Sequence, residues 1–81
     1  MIVSEHAREE MFASGIDETE VKACLEYGEI VIKRIVKGEM RYGKQLKLKN
    51  KIIIVIYARR ENEARVVTVY TIKRKRWQQN S

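Results

Sequence analysis

The sequence has no proline, one cysteine, one histidine and four glycines among its 81 residues. The single cysteine, Cys24, excludes an internal disulfide and any metal site built from several cysteines. With one histidine, no glycine-rich phosphate loop and no candidate triad, metal, nucleotide-binding and serine-hydrolase sites are excluded as well, and we expect no cofactor. Because no apolar run approaches the roughly 18 residues of a membrane span, and no signal peptide is found, we expect a cytoplasmic protein without membrane contact.

Charge is unevenly distributed along the chain, whose length suits one small domain covering residues 1–81. Residues 1–29 contain eight acidic and two basic side chains, whereas residues 30–81 contain three acidic and fifteen basic ones. The basic part suggests a polyanionic partner such as RNA. The alternative is a solvated, lysine-rich sheet face that discourages aggregation. Abundant Lys, Arg, Glu and Ile without proline also resembles hyperthermophile composition.

Two short helices are predicted in the first third of the chain. Ser4 is a suitable N-cap for a helix over about Glu5–Ser14. Asp17 and Glu20 form a capping box for a second helix. Cys24 lies on the apolar stripe of this second helix, so we interpret it as a small buried core residue rather than a reactive thiol.

The rest of the sequence predicts an antiparallel sheet. Residues 52–58 are seven consecutive apolar residues, mostly β-branched, which is typical of an interior strand that is apolar on both faces. Three other strand-like runs cover residues 29–37, 44–49 and 65–73. We therefore predict an α+β fold, with two N-terminal helices (1–28) packed on one face of a four-stranded antiparallel sheet (29–73) and a basic tail (74–81).

Turn lengths predict which side chains face the helices. A three-residue loop centred on Asn50 sets Leu48 opposite Ile52, and a four-residue loop over residues 61–64 sets Ile56 opposite Val69. The predicted inner face is Leu46, Leu48, Ile52, Ile54, Ile56, Ala58, Val67 and Val69. The predicted outer face is Gln45, Lys47, Lys49, Ile53, Val55, Tyr57, Arg59, Val66, Thr68, Tyr70 and Ile72. This outer face is too apolar for simple solvation and too basic for a second core, which indicates a binding surface or a dimer face.

Short motifs near both ends of the chain resemble a known family. The N-terminal part contains Ser4-x-His6-Ala7-x-x-x-Met11 followed by Gly15-Ile16, and the C-terminal part contains Val67-Thr68-Val69-Tyr70. This pattern resembles the family called domain of unknown function 4258, whose members begin with S-x-H-A-x-x-R-M-x-x-R-G-I and end on a T-x-Y-like strand. The resemblance spans about residues 3–72. That family looks related to the RelE-like and BrnT-like toxin ribonucleases, so it implies a RelE-like toxin fold whose open sheet face acts on RNA.

The match to the family motif is incomplete. His6, Thr68 and Tyr70 agree with it, but Glu10 and Ser14 stand where the family usually has arginine. If those arginines bind phosphate in relatives, this chain has lost that function or moved it to the sheet. The departure puts catalytic activity in doubt.

Metal-independent RNA cleavage needs a base, an acid and cations that stabilise charge on phosphate. His6, in the first turn of a helix, is the family-derived candidate for the base; the alternative is a helix–sheet contact residue. Arg59 could hold the phosphate, and Tyr70 could transfer a proton or stack on a base. The predicted catalytic residues are His6, Arg59, Thr68 and Tyr70.

Basic and aromatic side chains of the outer face and the tail are the candidates for nucleic-acid binding. They are Lys47, Lys49, Tyr57, Arg59, Arg74 and Arg76. For Tyr57 and Tyr70, the alternative is cross-strand stabilisation or a dimer interface, and for the tail it is a solvated terminus.

Two hypotheses follow from these patterns. The first is a toxin-like RNA-binding protein, a metal-independent endoribonuclease of the toxin–antitoxin type, with RNA, including ribosome-associated RNA, and an acidic antitoxin-like protein as partners. The second is a noncatalytic interaction module that homodimerises or binds an acidic protein through the same face, centred on Ile53, Val55, Tyr57 and Tyr70.

Overall fold

The computed structural model describes residues 1–74 of the chain. Two helices and five strands follow one another in this part of the sequence. They are β1 (Ile2–Val3), α1 (Glu5–Ser14), α2 (Glu18–Tyr27), β2 (Glu29–Val36), β3 (Glu39–Lys47), β4 (Lys51–Arg60) and β5 (Glu63–Lys73). The α+β class is therefore confirmed. Neither helix is long and apolar enough to cross a membrane.

Both helices begin at the predicted caps. The hydroxyl of Ser4 accepts a hydrogen bond from the Ala7 N–H at 3.1 Å, which satisfies one of the free amides of the first turn of α1. At the start of α2, the Asp17 carboxylate accepts from the Glu20 N–H, and the Glu20 carboxylate accepts from the Asp17 N–H. Local sequence alone therefore fixes where both helices start.

The sheet has five strands rather than the four predicted, in the order β1-β5-β4-β3-β2. Four of them are antiparallel neighbours, as expected, but β1 pairs with β5 in parallel, with Ile2 beside Arg65 and Val3 beside Val66. The expectation of a purely antiparallel sheet is wrong in this detail. A strand of two residues is too short to show any periodicity in the sequence.

The hairpin between β3 and β4 turns in two residues, not three. The Leu48 N–H donates to the Lys51 carbonyl at 2.8 Å, so the loop contains only Lys49 and Asn50. Leu46 consequently pairs with Ile53 instead of Ile54. A shift of one residue moves every side chain of a strand to the other face. The predicted faces of β4 are therefore inverted.

The β4–β5 hairpin also turns in two residues. Glu61 and Asn62 both have positive φ, at 48° and 69°, which is the backbone of a type I′ turn. Tyr57 then pairs with Val66, and a bulge lets Ile56 pair with Thr68. This bulge is why Val66 and Val69 both face the helices, and why the inward placement predicted for Val67 is wrong.

The turn between β2 and β3 is likewise shorter than predicted. Lys37 and Gly38 have positive φ, and β3 begins at Glu39, five residues before the strand predicted over residues 44–49. The pairing of β2 with β3 is irregular between Ile30 and Ile32, where Val31 is the extra residue of a β-bulge.

The core lies between the helices and one face of the sheet. Its buried members from the helix layer are Ala7, Met11, Ile16, Val21 and Cys24, and those from the sheet are Ile53, Val55, Val66 and Val69. Cys24 is buried, as predicted. By contrast, Ile53, Val55, Tyr57 and Val66 were expected on the outer face, and all four are buried. They are unavailable as the centre of a dimer surface.

Candidate nucleic-acid interface

The side of the sheet turned away from α1 and α2 has no covering layer among the described residues, and we call it the open face. Strand register fixes its members, since directly paired residues share a face. They are Glu29, Ile32, Arg34, Val36, Glu39, Arg41, Gly43, Gln45, Lys47, Ile52, Ile54, Ile56, Ala58, Arg60, Glu63, Arg65, Thr68, Tyr70 and Ile72. The surface is apolar along the middle of β4, and toward the turns at Lys37–Gly38 and Glu61–Asn62 its four arginines outnumber its two glutamates.

Three arginines lie in one row across this basic end. Arg34 pairs directly with Arg41, and Arg65 pairs directly with Ala58. Ala58 in turn lies opposite Arg41, one position beyond the Tyr42–Tyr57 pair of β3 and β4. Adjacent strands are about 4.8 Å apart, so the row crosses four strands within roughly 15 Å. We call Arg34, Arg41 and Arg65 the arginine row. Only the small side chain of Ala58 separates Arg41 from Arg65.

A depression of about 150 Å³ lies at the centre of the row, with Arg41, Ala58 and Arg65 among its lining residues. The Glu39 carboxylate, which also lines it, is 3.1 Å from Arg41 Nε and 3.6 Å from Arg60 Nε. The carboxylate thus orients Arg41 through a hydrogen bond and forms a longer ion pair with Arg60. Arginine binds phosphate oxygens through a planar pair of donors, so this arrangement suits a phosphate group.

Tyr70, Thr68 and Lys47 occupy the open face, as predicted. Tyr70 pairs with Ile54 and Thr68 with Ile56, in the two positions that follow the arginine row along β5. Tyr70 is 38% exposed, and its aromatic ring is a candidate for stacking on an unpaired base. Lys49 is exposed in the β3–β4 turn, at the end of the sheet away from the row.

Two other predicted RNA-binding residues belong to the C-terminal end. Arg74 contacts the β3–β4 turn, where its guanidinium donates to the Leu48 carbonyl at 2.8 Å and its N–H donates to Asn50. Its side chain is therefore directed toward the protein backbone. Arg76 lies outside the described residues.

The helix side of the sheet holds the remaining candidates. Tyr57 is 4% exposed, its ring stacks on Tyr42 with centroids 5.5 Å apart, and Lys44 Nζ lies 5.9 Å above it. Burial is the main reason that the pKa of Tyr57 is raised. Arg59, two residues along β4, shares this side and is exposed. The prediction that Tyr57 and Arg59 share the outer face with Lys47 is thus wrong, because it was based on a register that was off by one residue.

The four predicted catalytic residues do not come together. His6 is exposed on α1, with Nε2 3.5 Å from Glu10 Oε1. It lies on the helix side with Arg59, whereas Thr68 and Tyr70 lie on the open face, so the sheet separates the two pairs. Sequence reasoning also missed the arginine row, which only two-residue turns at Lys37–Gly38, Lys49–Asn50 and Glu61–Asn62 together would have revealed.

The chain is thus a small α+β protein with a two-helix layer on one side of a five-stranded mixed sheet and a basic open face on the other. Residues 3–71 match the family described as domain of unknown function (DUF4258), and the chain belongs to that family. No curated protein and no solved structure matches it. The expected relation to the RelE-like toxins therefore remains a prediction.

Proposed function

We propose that the protein binds single-stranded RNA through the open face of its sheet. The observation that carries this proposal is the arginine row, with Arg41 and Arg65 on either side of a small depression and Glu39 orienting Arg41. Guanidinium groups at this spacing can hold backbone phosphates, while Tyr70 offers a stacking surface beside them. The same proposal keeps the toxin-like class of function, with RNA as the target.

The test compares charge removal on the two sides of the sheet. Arg41→Ala/Arg65→Ala removes two cations from the open face, and Lys22→Ala/Arg59→Ala removes two exposed cations from the helix side. Fluorescence anisotropy with a labelled single-stranded RNA should show weaker binding by roughly tenfold or more for the first variant only. Equal losses in both variants would mean that net charge, not the open face, determines binding.

RNA cleavage at this face would have to proceed without His6, which lies across the sheet. We propose that in any cleavage the Tyr70 hydroxyl protonates the leaving 5′-oxygen, a water molecule takes the proton of the attacking 2′-hydroxyl, and the arginine row stabilises charge on the phosphate. In a cleavage assay on highly purified protein, His6→Ala should then retain activity and Tyr70→Phe should lose it. Loss of activity in His6→Ala would place the chemistry on the helix side instead.

A second candidate function is noncatalytic binding of an acidic, antitoxin-like protein on the same face. The observation in its favour is the aliphatic surface of the open face, which is half-exposed at Ile72 and partly exposed at Ile52 and Ile56, because RNA backbone gains little from aliphatic contact. Tyr70 and Ile72 are neighbours on the same face of β5, and substituting each in turn distinguishes RNA binding from protein binding. If RNA is the ligand, Tyr70→Ala should weaken RNA binding by about 1–3 kcal/mol, and Ile72→Ala should leave it unchanged.

A further inference from the structure

The two edges of the sheet are treated differently by the rest of the chain. Along β5, β1 pairs with the first residues, and α1 then covers the next ones. The Ser4 hydroxyl donates to the Val67 carbonyl at 3.1 Å, and the Glu10 carboxylate accepts from the Val69 N–H at 3.1 Å. These contacts occupy polar backbone groups that a neighbouring strand would otherwise bind. This edge is closed to another chain from Arg65 to Val69.

The opposite edge, β2, has no such cover. Within residues 1–74 its backbone pairs only with β3, and no side chain hydrogen-bonds to its outer edge. Its apolar side chains are also exposed, at 54% for Ile30, 48% for Val31 and 68% for Ile35. A long apolar edge strand of this kind is a ready template for another strand.

The charges of β2 restrict which strand can pair with it. Lys33 and Arg34 repel a basic strand, and the bulge at Val31 disfavours an arbitrary register. A partner strand that places a carboxylate opposite one of these cations is therefore favoured. β2 itself carries one carboxylate, Glu29, near its other end.

We propose that β2 pairs antiparallel with β2 of a second copy, joining two five-stranded sheets into one. A two-fold axis between Val31 and Ile32 sets Glu29 opposite Arg34 and Ile30 opposite Lys33. Register supports this arrangement, since Glu29 pairs with Gln45 and Arg34 pairs with Arg41, which places both on the open face.

The same axis accounts for the exposed apolar residues of the edge. It brings Ile30 of each copy diagonal to Ile35 of the other, on the helix side and within about 7–8 Å. Because the contact is isologous, it closes at the dimer and buries both β2 edges.

This dimer is independent of RNA binding. Because Arg34 contacts Glu29 of the second copy in this dimer, Arg41 and Arg65 provide the phosphate contacts of the arginine row. The two open faces point the same way, because the axis is perpendicular to the sheet. A single surface with two RNA sites would result, yet the dimer forms without RNA.

Sedimentation equilibrium of the full chain tests the proposal through a matched pair of variants. Ile35→Lys places a charge in the proposed contact, and Phe12→Lys makes the same change at a 91%-exposed site on α1, near the covered edge. Over roughly 1–100 μM protein, the parent and Phe12→Lys should approach twice the 9.6 kDa chain mass, and Ile35→Lys should remain at 9.6 kDa. Far-UV circular dichroism should show that both variants are folded.

Charge reversal tests the register. Glu29→Arg and Arg34→Glu should each raise the dimer dissociation constant by about tenfold, since each creates two like-charge contacts. The double variant Glu29→Arg/Arg34→Glu restores opposite charges and should return to within about threefold of the parent. The proposal would be overturned if the parent were monomeric, if it formed species larger than a dimer, or if Ile35→Lys dimerised as well as Phe12→Lys. It would also be overturned if the double variant did not regain the dimer affinity of the parent.

Discussion

Glu10 shows how a single departure from the family motif can have a structural reason. Where arginine is usual in the family pattern, this chain has a carboxylate that accepts a hydrogen bond from the Val69 N–H on the edge of β5. An arginine there could not accept this bond. The sequence signalled the departure, but only the packing of α1 over β5 reveals that Glu10 covers the sheet edge.

Removing this carboxylate should destabilise the fold. We expect Glu10→Ala to lower the free energy of unfolding by about 1–2 kcal/mol, because a partly buried N–H loses its charged acceptor. Urea unfolding measures the change. Glu9→Ala removes an exposed neighbouring carboxylate and serves as the control, with an expected change within about 0.5 kcal/mol. Equal effects of the two substitutions would contradict the role assigned to Glu10.

The Cys24 thiol makes the stability of the fold depend on pH. Its thiol is buried and donates to the Lys44 carbonyl at 3.3 Å, and burial is the main reason that its pKa is raised. In the unfolded chain the thiol titrates near its ordinary pKa of about 8.5, so it loses its proton there before it does in the fold. Its contribution to stability is therefore complete below that pH and is lost as the pH rises toward the folded pKa.

The pH dependence can be isolated by comparison with Cys24→Ala. Between about pH 8 and 10, the parent should lose more stability than the variant, since only the parent has a thiol whose ionisation favours unfolding. Urea unfolding under reducing conditions at several pH values measures both curves. Parallel curves would show that the thiol titrates alike in the two states.

At the scale of elements, the starts of the helices were predictable from the sequence and the faces of β4 were not. Caps such as Ser4 and the Asp17–Glu20 box act within three residues, so the sequence contains the whole interaction. The face of β4 depends instead on whether the turn at Asn50 has two or three residues. Because β4 is apolar on both sides, its own pattern could not reveal the error of one residue.

Truncation of adjacent isoleucines on β4 tests which face is the core. Ile53 is fully buried against the helices, whereas Ile52 lies on the open face and is partly exposed. Ile53→Ala should lower the free energy of unfolding by about 2–5 kcal/mol, since it leaves a cavity. Ile52→Ala, the same chemical change, should cost less than half as much. A larger loss of stability in Ile52→Ala than in Ile53→Ala would mean that Ile52 faces the core, as the sequence predicted.

At the scale of the whole molecule, the acidic and basic parts of the sequence form different layers of the fold. The acidic N-terminal segment forms the helix layer, and the basic remainder forms the sheet. This much was predictable from composition. The position of the basic site was not, because Arg34, Arg41 and Arg65 are distant in sequence and become neighbours only through strand register.

The salt dependence of RNA binding tests the central claim most directly, because it counts phosphate contacts. Each contact with single-stranded RNA adds about 0.7 to the slope of log affinity against log salt. We predict that Arg41→Ala/Arg65→Ala reduces the slope by about 1.4, whereas Lys22→Ala/Arg59→Ala leaves it at the parent value. An unchanged slope in the first variant, or an equal reduction in the second, would contradict RNA binding by the open face.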